Sequence, residues 1–221
     1  MKIVKSIKSF LEEISGRYSD KTVQKYDTVL DLFSDYLLSY GEISYKEDKG
    51  GEFILTADTK ELEFGHAGSF LDWFLIRKVM GPPWVLKAAP DIIKKYFEWL
   101  DHKELLAEGV MKEVAEITRQ TAKDLPRVEK ASGLFYKLCR SNSLKFMQVE
   151  FDDDNYMEGY GEVTGIIEDK LYLDYEGEKI GPIRITKEIA KYLGKGDTVN
   201  LVVGRKGKRW FPLEVGNVYP G

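Results

Sequence analysis

An apolar stripe on one predicted helix constrains the fold of this chain more than any other feature. Its large apolar residues recur at alternating spacings of three and four, which places them on one side of an α-helix. They are Val23, Tyr26, Leu30, Phe33, Leu37 and Tyr40. Ser19 is suited to cap the start of this helix with its hydroxyl. Gly41 is suited to end it in a left-handed conformation. Such a helix needs other elements to cover its stripe, so the sequence predicts a helical domain.

The pattern of the chain changes near Ser141, from helical periodicity to short alternating strands. Capping residues, prolines and apolar spacing predict helices over about 3–15, 20–40, 69–80, 90–101 and 104–124, with a last helix beginning at Pro126. Residues 42–68 are dotted with glycine and charge, which predicts a loop with a strand-like piece at 53–55. The first part of the chain is therefore expected to be helical, with this loop between the second and third predicted helices.

The second part predicts five short strands with one helix between the third and the fourth. The strands are expected at 161–168, 170–175, 180–185, 198–203 and 209–215, and the helix at 186–193. Alternation puts Val199, Leu201 and Val203 on one face of the fourth strand and Phe211, Leu213 and Val215 on one face of the fifth. This order predicts a small antiparallel β-barrel of the OB or SH3-like kind. The expected fold is α+β with two domains, a helical bundle at 1–142 and a barrel at 146–221.

Composition limits the function classes. The formal net charge is −4 and neither half of the chain is basic, whereas nucleic-acid-binding proteins usually carry a basic footprint. Nucleic-acid binding would therefore depend on local patches. Cys139 is the only cysteine, so no disulfide can form within the chain. No apolar run reaches the length of a membrane span and the N-terminus does not resemble a signal peptide. We expect a cytoplasmic protein without a membrane partner; the sequence does not indicate its oligomeric state.

Two motifs in the helical part resemble one known family. The first is Ser19-x-x-Thr22-x-x-x-Tyr26-x-x-x-Leu30-x-x-Phe33, and the second is the run Ile-Lys-Lys-Tyr-Phe-Glu-Trp-Leu at 93–100. Together they resemble the SAM-like, core-binding domain of phage-integrase-type tyrosine recombinases, over about residues 3–138. The resemblance implies a helical domain that clamps duplex DNA through contacts to its backbone. The positions that match the DNA-contacting regions are Lys21, Thr22, Lys25, Lys87, Lys94 and Lys95.

The catalytic half of that family is missing from this chain. Tyrosine recombinases need a His-x-x-Arg motif, but His66 is followed by Ala-Gly-Ser and His102 by Lys-Glu-Leu. The predicted barrel takes the place of a catalytic domain, so strand transfer is not expected. Charge also limits the likeness, because aspartates along one side of the second helix would repel phosphate; they are Asp20, Asp27, Asp31 and Asp35.

A basic hairpin is the second candidate site. Its members are Arg205, Lys206, Lys208, Arg209 and Trp210. The cations could follow a phosphate backbone while Trp210 stacks on a base. The alternative is a solvated turn with Trp210 packed inside the barrel. Both interpretations remain open at this point.

Other candidate sites are weaker. The acidic run at 152–155 lacks the spacing of a calcium loop, and two histidines far apart do not indicate a metal site. Cys139, within an apolar helix, is expected to pack as a small hydrophobe. No glycine-rich phosphate loop is present, and we expect no cofactor and no metal.

The sequence leads to two hypotheses from different classes. The first is a non-catalytic nucleic-acid-binding protein, with DNA as partner. The second is a protein–protein interaction adaptor with no nucleic-acid role, which should expose an apolar patch. An enzyme is not expected, because no nucleophile–base pair can be named.

Overall fold

The computed structural model describes the backbone of residues 1–221 and every side chain except that of Asp153. The acidic run at 152–155 therefore includes one side chain outside the described residues. The chain divides into two compact units, Met1–Lys123 and Asp124–Gly221. Helices dominate the first unit and a closed β-barrel forms most of the second, which confirms the α+β, two-domain class.

The first unit consists of helices and one small hairpin. Its main elements are α1 (Ile3–Ser15), α2 (Asp20–Tyr40), β1 (Tyr45–Glu47), β2 (Phe53–Leu55), α3 (Phe64–Ser69), α4 (Leu75–Lys78) and α5 (Trp84–His102). A π-helical turn, Phe70–Phe74, joins α3 to α4. The strand-like piece at 53–55 is thus one arm of a two-stranded antiparallel hairpin. No helix among the described residues is long and apolar enough to cross a membrane.

Aromatic side chains fill the core of the first unit. Phe33 of α2 is fully buried and contacts Phe70 and Phe97, with ring centroids 5.1 Å and 6.1 Å away. The hydroxyl of buried Tyr96 lies 2.6 Å from Oγ of Ser6, which ties α5 to α1. The apolar stripe predicted for α2 therefore faces the core as expected, apart from half-buried Val23 and exposed Tyr40.

The ends of α2 differ in detail from the prediction. Ser19 occupies the N-cap position, but its hydroxyl lies 3.1 Å from that of Thr22 and bonds no backbone N–H of the helix. Gly41 keeps a right-handed conformation, with φ −79°, and the next residue, Glu42, takes the left-handed one at φ 49°. Gly41 is needed for another reason, because a Cβ there would lie 2.7 Å from the carbonyl oxygen of Leu37.

The later helices differ in extent from the prediction, and α6 begins later than the predicted start at 104. α5 begins at Trp84 and carries Pro90 inside it. α6 runs from Val110 to Lys145 and includes Pro126, so the separate helices predicted on either side of that proline are one helix. A proline in this place removes one backbone hydrogen bond but does not break the helix here. The boundary between the compact units falls within α6, earlier than the predicted boundary at 142–146, where α6 ends.

The second unit is built around a five-stranded barrel. Its strands are β3 (Tyr156–Ile167), β4 (Lys170–Tyr175), β5 (Glu178–Arg184), β6 (Thr198–Lys206) and β7 (Arg209–Tyr219), with the short helix α7 (Lys187–Ala190) between β5 and β6. The strand order is β3-β4-β5-β7-β6 and the barrel is closed by pairing of β6 with β3. Among the described residues, β5 and β7 are the only strands that pair in parallel. Of the two barrel types predicted, this order is that of the OB type.

The barrel interior confirms one predicted face and corrects another. Val199, Leu201 and Val203 of β6 are fully buried, as predicted. In β7 the buried residues at the start of the strand are Trp210 and Pro212, whereas Phe211 is only half-buried. The apolar face that alternation gives to β7, which carries Phe211, is therefore not the buried face in this part of the strand. Phe211 points outward and packs against Phe146, 5.0 Å away, which explains why an outward position is apolar.

The C-terminal part of α6 packs on the barrel within the second unit. The amide of Asn142 donates to the carbonyl of Pro212 (2.9 Å), and the hydroxyl of Ser143 donates to that of Leu213 (2.7 Å). Cys139 is buried, as predicted, and burial raises the pKa of its thiol to about 12. The second unit is therefore a barrel with a helix bound along β7.

Candidate nucleic-acid interface

The outer surface of the barrel brings three cations together from three neighbouring strands. Alternation along β4 turns Leu171 and Leu173 inward and leaves Lys170 and Tyr172 outside. Lys170 lies opposite Arg184 of β5. Arg209, at the start of β7, lines the same small depression as these two and Pro182. We call Lys170, Arg184 and Arg209 the cationic face.

The cationic face keeps a positive balance of charge. Asp169 forms an ion pair with Arg184, at 3.1 Å, and offsets one of the three cations. Among the described residues, none of those lining the depression is acidic. Since the two partners are 47% and 21% exposed, this pair contributes little to stability and can exchange for another anion. The cationic face can therefore bind phosphate groups.

Next to the cationic face lies an open aromatic position. Tyr172 pairs with Gly165 of β3, and Ile167, one row further along, is 60% exposed. A Cβ on Gly165 would meet nothing within 4 Å, so the surface beside Tyr172 is open there. On the other side the tyrosine ring rests against Gly181, where a Cβ would lie 2.6 Å from its Cδ1 atom.

Arg205 of the predicted basic hairpin is held by neighbouring groups. Nε and one terminal nitrogen of Arg205 donate to Asn155 Oδ1 (3.1 Å) and to the carbonyl of Asp154 (3.0 Å). Its guanidinium also covers the indole of Trp210, 5.3 Å from the ring centroid. Trp210 is 7% exposed, so it has little surface to offer a base. This geometry favours the alternative in which Trp210 packs inside the barrel.

The other hairpin cations point to different surroundings. The amine of Lys206 lies 5.6 Å from the ring of Phe146, where the amine of Lys145 lies 5.5 Å away. Lys208 is exposed in the two-residue turn. Arg209 alone is part of the cationic face. The hairpin therefore contributes one residue to that face and not a continuous basic tip.

In the helical unit, the predicted lysines mostly contact aromatic or acidic side chains. The amine of Lys25 lies 5.6 Å from the ring centroid of Trp84. Lys95 pairs with Asp91 at 2.8 Å, which raises the pKa of the lysine, and its amine also lies about 6 Å from the ring of Tyr26. These contacts place Lys25 and Lys95 on aromatic surfaces formed by α2 and α5.

The remaining helical positions are dispersed. Lys94 pairs with Glu98 at 3.5 Å, and Lys21 and Lys87 are exposed. The hydroxyl of Thr22 bonds Ser19. Since Lys94 and Lys95 each have a carboxylate partner on α5, that helix contributes little net positive charge. The six predicted helical positions belong to the first unit and the five hairpin positions to the second.

The aspartates predicted on α2 line a groove beside α1. Asp27 and Asp31 share it with Val4, Leu11 and Glu12. Partial burial and the neighbouring carboxylates raise the pKa of Asp31. Lys8 lines the same groove, so one cation stands against the carboxylates there. That this side of α2 disfavours phosphate stays a prediction.

An aromatic patch lies elsewhere on the first unit. Tyr40, Tyr45 and Phe53 line one open groove next to the β1–β2 hairpin, and they are 44%, 57% and 56% exposed. The rings of Tyr45 and Phe53 pack edge to face, 5.4 Å apart. We call these three residues the aromatic patch. Exposed apolar patches commonly mark protein-interaction surfaces.

Comparison with known proteins gives one weak likeness. No protein-family model and no curated protein matches the chain. Among solved structures, the chain is similar to the N-terminal domain of a phage integrase/site-specific recombinase from Haloarcula marismortui. The TM-score is 0.40 and the identity 13%, over 52% of this chain and 94% of that one. A likeness of this size does not show that the chain belongs to that family.

Sequence reasoning missed three of the outer barrel residues. Lys170, Tyr172 and Arg184 carry no motif, although the alternating run at 170–175 already separates an inner from an outer face. The sequence does not predict the parallel pairing of β5 with β7, and this pairing brings Arg209 beside Arg184. Residues so far apart in the chain become neighbours only when the barrel closes.

Proposed function

We propose that this protein is a non-catalytic DNA-binding protein that holds the phosphate backbone on the cationic face of its barrel. The observation that carries the proposal is the convergence of Lys170, Arg184 and Arg209 on one depression without an acidic lining residue. Phosphate neutralisation supplies much of the affinity in such complexes, and in a chain of net charge −4 a local cluster of cations can supply it. DNA is chosen over RNA because the motifs of α2 and α5 resemble those of the integrase core-binding domain.

The experiment is a fluorescence anisotropy titration of the full chain with a labelled oligonucleotide at several salt concentrations. The test variant replaces the whole cationic face, as Lys170→Gln, Arg184→Gln and Arg209→Gln. The matched control removes three exposed lysines of the second unit that do not line this depression, as Lys179→Gln, Lys187→Gln and Lys191→Gln. Both variants lose the same charge, so a difference between them reports position and not net charge.

We expect the test variant to bind at least about tenfold more weakly at low salt, and the control to bind much as the wild type does. The logarithm of the association constant decreases linearly with the logarithm of the salt concentration. The steepness of this decrease should be smaller by roughly 0.9 for each phosphate that the test variant no longer neutralises. Absence of binding at low salt, or equal losses in both variants, would contradict the proposal.

A protein–protein adaptor is the second candidate function. The aromatic patch favours it, because more than half of the Tyr45 and Phe53 side chains is exposed. If the protein is such an adaptor, we expect no salt-dependent binding of nucleic acid. We also expect the double variant Tyr45→Ser, Phe53→Ser to lose binding to a protein partner while it keeps its fold. The anisotropy titration therefore separates the two candidates.

A further inference from the structure

The outer surface of the barrel is open above Gly165. Among the described residues, no atom would meet a Cβ on Gly165 within 4 Å, and this glycine does not take a left-handed conformation. It is thus a flat, open position on a strand and not a glycine required by backbone strain. Tyr172 stands opposite it in the ladder.

Neighbouring residues hold Tyr172 in place on the side that faces β5. Its ring lies against Gly181, whose missing side chain makes room for it. Its carbonyl accepts a hydrogen bond from the Thr164 hydroxyl (3.2 Å), at a bulge between Val163 and Gly165. The ring is therefore supported on the side of β5 and half-exposed, while the space on the side of β3 is open.

Charge and aromatic surface lie in adjacent rows of the same sheet. Lys170 and Arg184 form one row with exposed Ile167, and Tyr172 and Gly165 form the next. Two rows on one face of a sheet are about 7 Å apart. A nucleic-acid strand whose phosphates contact Lys170 and Arg184 would therefore place one of its bases within reach of Tyr172.

From this arrangement we infer that the barrel takes single-stranded nucleic acid and seats a base over Gly165 against Tyr172. The inference rests on the proposed function and names the kind of nucleic acid that the same surface binds. Stacking on an aromatic side chain requires an unpaired base. A duplex keeps its bases paired inside and would contact the cations alone.

The first arm of the test uses the wild-type protein and three probes of equal length. These are an oligothymidine, an abasic strand with the same number of phosphates, and a duplex. We expect the oligothymidine to bind about tenfold more tightly than the abasic strand, which is the size of one stacked base. It should also bind more tightly than the duplex at the same salt concentration.

The second arm uses Tyr172→Leu and Gly165→Leu, with Gly133→Leu as the matched control. Gly133 is an exposed glycine of α6, where a Cβ would also meet nothing within 4 Å. Both face variants should lose the preference for oligothymidine over the abasic strand, and the control should retain it. A variant that fails to fold, seen by circular dichroism, leaves the first arm as the test.

The outcomes separate this inference from the proposed function. If the duplex binds as tightly as the oligothymidine, or the abasic strand binds equally well, the inference is wrong. The same holds if folded face variants keep the preference. In each of these cases the proposed function stands as long as the cationic-face variant weakens binding. If none of the probes binds at low salt, the proposed function itself is wrong.

Discussion

At the scale of single residues, Asp197 organises one end of the barrel domain. Its carboxylate is 2% exposed and accepts from both terminal nitrogens of Arg127, at 2.5 Å and 3.0 Å. The backbone N–H groups of Gly194 and Gly221 donate to it as well. The carboxylate in turn raises the pKa of the Arg127 guanidinium. A charge buried to this extent depends on its partner.

Arg127→Ala should therefore destabilise the protein by about 3–5 kcal/mol, because it leaves the Asp197 carboxylate buried without its counter-charge. Denaturation by urea, followed by circular dichroism, measures this loss. The control is Arg119→Ala, which removes an exposed ion pair with Glu116 and should cost about 0–1 kcal/mol. Equal losses in the two variants would show that the buried pair does not stabilise the fold.

Two buried tyrosines offer a second contrast at the same scale. The hydroxyl of Tyr96 bonds Ser6, whereas that of Tyr175 has no partner among the described residues. Tyr96→Phe should cost about 1 kcal/mol of stability, since a buried hydrogen bond is lost. Tyr175→Phe should cost nothing or stabilise, because it removes a buried hydroxyl that no group satisfies. Urea denaturation at neutral pH measures the stability of both variants. A larger loss of stability in Tyr175→Phe than in Tyr96→Phe would contradict this prediction.

At the scale of elements, α6 differs from the sequence prediction at Pro126. Pro126 satisfies the usual rule for a helix start, yet the structure continues the helix across it. The second part of the helix packs on β7 through Asn142 and Ser143, which favours a helix that continues to Lys145. Packing of this kind outweighs local propensity and cannot be read from the residues around the proline.

Pro126→Ala tests whether α6 is continuous. In a continuous helix the substitution restores a backbone hydrogen bond and should stabilise the protein by up to about 3 kcal/mol. Pro220→Ala, outside the helices, is the control and should have little effect. Thermal unfolding followed at a helix-sensitive wavelength gives the comparison. A loss of stability in Pro126→Ala would indicate that the chain prefers to break there.

The strands show what sequence alternation predicts and what it leaves open. The limits of β4 and the buried face of β6 follow directly from their residues. In β7, Trp210 and Phe211 were equally suitable for the core, and only the position of Phe146 decides between them. The same uncertainty concealed the cationic face, because Arg209 points outward only if Trp210 points inward.

At the scale of the whole molecule, an acidic chain must concentrate its positive charge to bind nucleic acid. The described helical unit pairs Lys94 and Lys95 with carboxylates of α5, and α2 carries aspartates along one side. On the barrel, Lys170, Arg184 and Arg209 share one depression. The fold class was predictable from periodicity, whereas this cluster depends on strand pairing that the sequence does not display.

The most direct test of this account is a titration of the isotope-labelled full chain with oligothymidine, followed by amide chemical shifts. The account predicts that the largest changes lie on the outer barrel surface, at Gly165, Lys170, Tyr172, Arg184 and Arg209. Amides along the aspartate side of α2 should not change. Changes confined to the helical unit, or none at low salt, would contradict the claim that the barrel face is the nucleic-acid interface.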